Sequence, residues 1–158
     1  MACRFLSALG TGDTADAIEA INYAVSNGAK ILNNSWGGGP YSASLEAAID
    51  NAYQHGVLFV ASAGNSNRNN DIYPSYPASY KIPNVITVAA TNNEDERAYF
   101  SNYGPESVHL GAPGEGILST VPFYETIFYE DFQDANVPGF EGTSMTPSGP
   151  DNRWGAMQ

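Results

Sequence analysis

The residues whose types and spacing could do chemistry stand where apolar runs end. In "FVASAGNSNRNN", Phe59 to Asn70, an apolar stretch stops at the small turn Ala63-Gly64 and delivers an amide, Asn65, into a polar loop. An asparagine there either turns the loop with its own side chain, its commonest use, or offers its N–H to a developing charge. "NNSWGGG" (33–39) and "ATNNEDE" (90–96) leave apolar runs in the same way. The carboxylates of "NNEDERA" (92–98) and "YEDFQD" (129–134) could offer oxygen ligands to calcium, but neither has the fixed spacing and central glycine of a calcium loop. They read as solvated acidic turns, so no metal and no cofactor are expected. Cys3 is the single cysteine, which excludes an internal disulfide and a thiolate zinc site.

The elements that must position these groups follow from periodicity. Between Asp13 and Asn27, the residues Ala17, Ile18, Ile21, Ala24 and Val25 recur at spacings of three and four and mark one helical face, closed by Asn27-Gly28. "AKILNNSW" (29–36) is a short strand. Leu45, Ala48, Ile49, Ala52 and Tyr53 mark a second helix over Ser42 to His55, ended by Gly56. "VLFVASA" (57–63) and "NVITVAA" (84–90) are uniformly apolar, as expected of strands covered on both faces. The alternation of strand and helix predicts an α/β fold, a parallel sheet with flanking helices whose function collects at the carboxyl ends of its strands. Residues 99–121 read as small strands and turns. Beyond Pro122 the chain is acidic and aromatic with repeated Pro and Gly breaks, an irregular or β-rich tail distinct from a first unit over 1–121.

Composition narrows the partners. With 158 residues, 42% hydrophobic and 15% charged, the chain has the length and character of one globular domain. Seventeen acids against six bases, a net charge of -11, disfavour nucleic acid and anionic membrane, because phosphates would be repelled. The opening "MACRFLSALG" has too short an apolar run for a signal peptide and reads as a short strand without a preceding turn, so the domain is expected to begin earlier. Nothing approaches a membrane span.

Taken together, "DAIEAINYAVSNGAKILNNSWGGG", "GVLFVASAGN", "YPASYKIPNVITVAAT", "FSNYGPESVHLGAPGEGILST" and "GTSM" resemble the subtilisin-like serine proteases, the subtilases, in the family's own order. The resemblance implies a three-layer subtilisin-like sheet and hydrolysis of peptide bonds by a serine nucleophile. It assigns Asn65 to the oxyanion hole, where its side-chain amide would donate to the tetrahedral intermediate. Ser35, Trp36, Gly37 and Gly38 would form one wall of the substrate site, and Ser62, Ala63 and Gly64 the other. A peptide or protein substrate would add as an extended strand, so glycine backbone there favours close approach. Family members act outside the cell, and an extracellular location is implied for this chain.

The family's aspartate and histidine segments are not among these residues, so the triad is expected to be incomplete and the chain inactive alone. His55 ends a predicted helix, where a cation meets the helix dipole. His109 falls on a strand position that carries varied polar residues in the family. Ser144, in "GTSMTPSGP", is the candidate nucleophile, although the alanine and histidine of the family run are missing and Gly149-Pro150 forbids the helix that should follow. Two readings stay open: Ser144 is the family serine in a damaged segment, or "GTSM" is a chance match inside a following β-sandwich module. The expectation is a truncated serine endopeptidase domain; the alternative is a non-catalytic peptide-binding fragment that keeps the substrate groove.

Overall fold

The apolar stripes become two helices of nearly the expected extent. In the computed structural model, which describes residues 1–7 and 9–118, helix α1 runs Thr14–Ser26 and buries Ala17, Ile21, Ala24 and Val25. Asn27 caps it, its side-chain amide donating to the Tyr23 carbonyl at 2.8 Å. Helix α2 runs Ala43–Gln54, and its first turn is closed by Ser42, whose hydroxyl accepts from the Leu45 N–H at 3.3 Å. Tyr80 fixes the same point from a distant loop, donating to the Ser42 carbonyl and accepting from the Ser42 N–H.

Four strands follow from the apolar runs: β1 Ile31–Asn34, β2 Leu58–Ser62, β3 Val85–Thr91 and β4 Leu110–Pro113. All neighbours are parallel, in the order β1-β2-β3-β4. This is the predicted α/β parallel sheet with flanking helices. Register fixes its two faces, because residues level with one another in a parallel sheet share a face. Leu32, Phe59 and Val85 stand in one row and Asn34, Ala61 and Thr87 in the next, all buried. The apolar ones, Leu32, Phe59, Ala61 and Val85, meet Ile21, Val25, Leu45, Ile49 and Ala52 of the two helices in a single core.

Two expectations fail for identifiable reasons. β2 and β3 were expected to be covered on both faces, yet among the described residues helices cover one face only. On the other, Leu58 is 41% exposed and Val60, Ile86 and Val88 are half-buried. The opening residues were expected to form a strand. Residues 1–7 form none, since a strand exists only where a partner ladder takes up its N–H and C=O groups. They turn instead through a Ser7 N–H bond to the Thr11 carbonyl at 2.8 Å, with Phe5 edge-on to Trp36 at 5.2 Å.

Candidate functional site

Parallel pairing alone brings the two expected walls together. Asn34 is level with Ala61, so β1 and β2 end side by side, and their polar extensions emerge from the same edge of the sheet. Ser35-Trp36-Gly37-Gly38 leaves β1, and Ala63-Gly64-Asn65 continues β2 beyond Ser62.

The first wall is held from beneath and from one side. Asn34 is buried at the end of β1, where its amide N–H₂ donates to the Leu32 carbonyl at 3.0 Å and its oxygen accepts from the Trp36 indole N–H at 3.1 Å. With the indole N–H engaged and Phe5 against the ring, Trp36 is fixed in orientation. The Gly38 N–H donates to the Tyr76 carbonyl at 3.1 Å, and a Cβ on Gly37 would lie only 2.9 Å from that same oxygen. Glycine at 37 is therefore a requirement of packing.

The second wall is tied to β3 and to a later turn. The Ala63 N–H donates to the Val88 carbonyl at 2.8 Å. Gly64 then takes φ +105°, a left-handed value, and a Cβ there would meet the Asn102 amide nitrogen at 2.6 Å. Past this point Asn65 stands exposed. Its loop, 64–70, is zipped onto residues 100–103: the Gly64 carbonyl accepts from the Asn102 N–H at 2.8 Å, the Asn67 N–H donates to the Phe100 carbonyl at 2.8 Å, and the Asn70 N–H donates to the Tyr103 carbonyl at 2.7 Å. Arg97 adds a bond from its guanidinium to the Asn67 side-chain oxygen at 3.0 Å and stacks over Tyr103.

The histidines lie elsewhere. His55 caps α2, with Nδ1 2.8 Å from the Asn51 carbonyl oxygen, at the amino edge of the sheet just before β2. His109 precedes β4 and accepts from the Thr87 N–H through Nδ1 at 2.9 Å. Thr87 is level with Ala61, so His109 sits two strands away from Asn65 and four residues short of it along the strand direction. Neither faces the edge that carries Asn65. Ser144 lies outside the described residues, as does the whole of 122–158. The acidic stretch 92–98 forms a turn in which the Asn92 oxygen accepts from the Glu94 and Glu96 N–H groups. Among the described residues no cluster of His, Cys, Asp or Glu could hold a metal ion, and no helix is long and apolar enough to cross a membrane.

Asn34 was expected to lie beside the substrate with the rest of 34–38, and the structure buries it beneath that segment instead; sequence reasoning passed over Asn70, Tyr76 and Asn102, which hold the two loops in place. Asn70 and Asn102 are 2% and 3% exposed. Their only local signal is a pair of asparagines within otherwise ordinary loops.

Comparison with known proteins agrees with this geometry. The model of the subtilase family matches residues 2–147. Fervidolysin from Fervidobacterium pennivorans is 42% identical over 135 residues, 79% of this chain and 19% of that protein. Thermitase from Thermoactinomyces vulgaris is 38% identical over 122 residues, 77% of this chain and 42% of that protein. The crystal structure of a cold-adapted subtilisin-like serine proteinase superposes with a TM-score of 0.62 at 38% identity, over 70% of this chain and 39% of that one. The chain thus spans less than half the length of these relatives. With its sheet, its loop order and the family match in agreement, the chain belongs to the subtilases.

Proposed function

We propose that this chain carries the substrate-binding walls and the oxyanion donor of a serine endopeptidase. The observation that carries the reading is the adjacency of Ser35–Gly38 and Ser62–Asn65 at one edge of the sheet, with an exposed amide at the far end of the second wall. An extended peptide laid along the first wall would bond to backbone at Ser35 and Gly37, with its scissile carbonyl directed at Asn65. Attack by a serine hydroxyl on that carbonyl carbon forms a tetrahedral oxyanion, to which the Asn65 N–H₂ donates. A general base takes the serine proton and returns it to the leaving nitrogen, so collapse expels a neutral amine and leaves an acyl-enzyme that water hydrolyses. Removal of one such donor costs about 100- to 1000-fold in rate, subtilisin's own asparagine being the measured precedent for that figure.

Ser144 is our candidate nucleophile. The family match runs through residue 147 and so includes Gly142-Thr143-Ser144-Met145, which favours the family serine over a chance tetrapeptide in a separate module. The same match crosses the boundary near residue 121 at which we divide a catalytic unit from an acidic tail. We further read the site of action as extracellular, on family grounds, and the substrate as peptide or protein.

A second reading concerns these 158 residues by themselves. Both histidines are engaged away from the Asn65 edge, which leaves no imidazole to take the serine proton. On this reading the isolated chain binds peptide without turning it over. Labelling with a fluorophosphonate probe, mapped by mass spectrometry with a Ser144→Ala control, tests it: no adduct is expected where an intact subtilase labels fully. A stoichiometric adduct on Ser144 would show an activated serine and overturn the inactive reading.

A further inference from the structure

An oxyanion donor is effective only if it is already aimed when charge develops, because a donor that must reorganise forfeits the benefit. Asn65 is exposed and sits in a loop, the kind of segment that ordinarily moves. Something must hold it, and two buried amides are positioned to do so. The Asn102 side-chain oxygen accepts from the Ser66 N–H at 2.8 Å and from the Arg68 N–H at 3.2 Å. Its amide nitrogen donates to the Asn70 oxygen at 3.0 Å, and Asn70 in turn donates to the Ala63 carbonyl at 2.9 Å. The Asn102 backbone N–H takes the Gly64 carbonyl. Bonds thus close on the chain at Ala63, Gly64, Ser66 and Arg68, bracketing Asn65 on both sides.

The chemistry of these partners fixes the residue type. Two N–H donors converge on one side-chain oxygen while the nitrogen of the same group must donate, and among short side chains only a carboxamide does both. The contact is also tight: with the Asn102 nitrogen 2.6 Å from where a Cβ on residue 64 would lie, the clamp requires glycine before Asn65. Both amides are nearly sealed from water, so their bonds do not exchange with solvent as surface bonds do.

We propose that Asn102, seated on Asn70, is the positioning residue of the oxyanion donor, acting through the backbone of Ser66 and Arg68 to hold Asn65 in one orientation. The assignment rests on the reading of Asn65 given above. It predicts that losing the Asn102 side chain disorders Asn65 while the sheet persists.

The experiment is nuclear magnetic resonance on the full 158-residue chain, isotopically labelled, comparing Asn102→Ala, Asn102→Asp and Asn65→Ala with the parent. In Asn102→Ala the Ser66 and Arg68 amides should exchange about tenfold faster or more. The Asn65 χ1 couplings should become averaged, with β2 and β3 amides as protected as before. Asn102→Asp keeps the accepting oxygen but has no N–H for the Asn70 oxygen, so protection at Ser66 and Arg68 should return only in part. Unchanged Asn65 couplings in Asn102→Ala would overturn the proposal. So would loss of protection spread evenly over the sheet in both Asn102 variants, since that marks a general structural role. A separate arm titrates N-acetyl-tetra-alanine with a free carboxylate against its carboxamide, the carboxylate standing in for the oxyanion. If Asn65 is the anion donor, the parent favours the carboxylate and Asn65→Ala abolishes that preference. A preference untouched by Asn65→Ala would remove the oxyanion role from Asn65, and with it the purpose assigned to Asn102, whatever the loop measurements give.

Discussion

The two faces of the sheet are built from similar residues and live in different surroundings. On the helix side, Leu32, Phe59 and Val85 are 9%, 0% and 4% exposed, packed against α1 and α2. On the far side, Ile31 and Leu58 are largely exposed and Val60, Ile86 and Val88 half-buried, although each is as apolar as its counterpart. The difference lies in what covers each face and not in residue choice. A strand that is apolar at both parities is suited to burial on both sides. In the described residues only one side receives helices, so the packing energy that holds the site's strands together is concentrated there. The carboxyl edge, with Ser35–Gly38 and Ser62–Asn65, is therefore supported from one face by the core and from beyond the strands by the loops at 76–80 and 100–103.

The strongest way to test that asymmetry is to open a cavity on the covered face. Phe59 is fully buried and central in the core. Phe59→Ala should cost about 3–5 kcal/mol, from lost apolar transfer and an unfilled cavity together. Against the roughly 5–15 kcal/mol of an ordinary domain, that is about a third or more of the total and should lower the denaturant midpoint markedly. Urea unfolding followed by circular dichroism measures it, and a cost below about 1 kcal/mol would mean that the helix side is not where stability resides.

A smaller effect is expected where a loop, and not the core, supports the edge. Tyr80→Phe removes a hydroxyl that donates to the Ser42 carbonyl at 2.8 Å and accepts from the Ser42 N–H at 3.1 Å. Leaving those backbone groups without that partner should cost about 1–3 kcal/mol. Burial, the largest cause, raises the Tyr80 pKa above its ordinary value of 10.0, with the nearby Glu46 carboxylate also raising it and the Ser42 hydrogen bond opposing. Because the folded pKa is raised, the contribution is fully present below the unfolded value and is lost as pH rises through the folded one. Stability should thus decline above about pH 10 in the parent and less steeply in Tyr80→Phe, as read by unfolding at pH 8 and pH 11.

What the sequence made legible follows the same division between local and distant causes. α1, α2, β1, β2 and β3 were readable because helix and strand periods are local, and the adjacency of the two walls followed once β1 and β2 were recognised as parallel. The position of Asn65, exposed beyond the end of β2, was readable from the apolar run that precedes it. Asn102 and Asn70 were not, because what distinguishes them is burial and bonding across 32 residues of chain, and an asparagine in "FSNYG" or "NRNND" carries no local mark of either. The opening residues misled for the complementary reason. A short stretch with a few apolar residues has strand character, but a strand is defined by a partner.

The smallest predicted effect bears on the open face. Leu58 is level with Ile31 in the register, and the two form an exposed apolar pair at the start of β1 and β2. Replacing both with threonine places β-branched residues suited to a pleated strand at both positions and removes apolar surface from water. If that face is solvated, the double variant should change folding stability by no more than about 0.5 kcal/mol, while lowering dye binding and slowing aggregation of the 158-residue chain. The decisive quantity is the contrast with Phe59, which lies one residue from Leu58 along the same strand. A loss from the double variant that approaches the Phe59→Ala cost would mean that the second face is covered in solution, and the difference between the two sides of the sheet would then vanish. A small loss with improved solubility would establish that neighbouring residues of β2, alike in character, contribute unequally because only one of them meets the core.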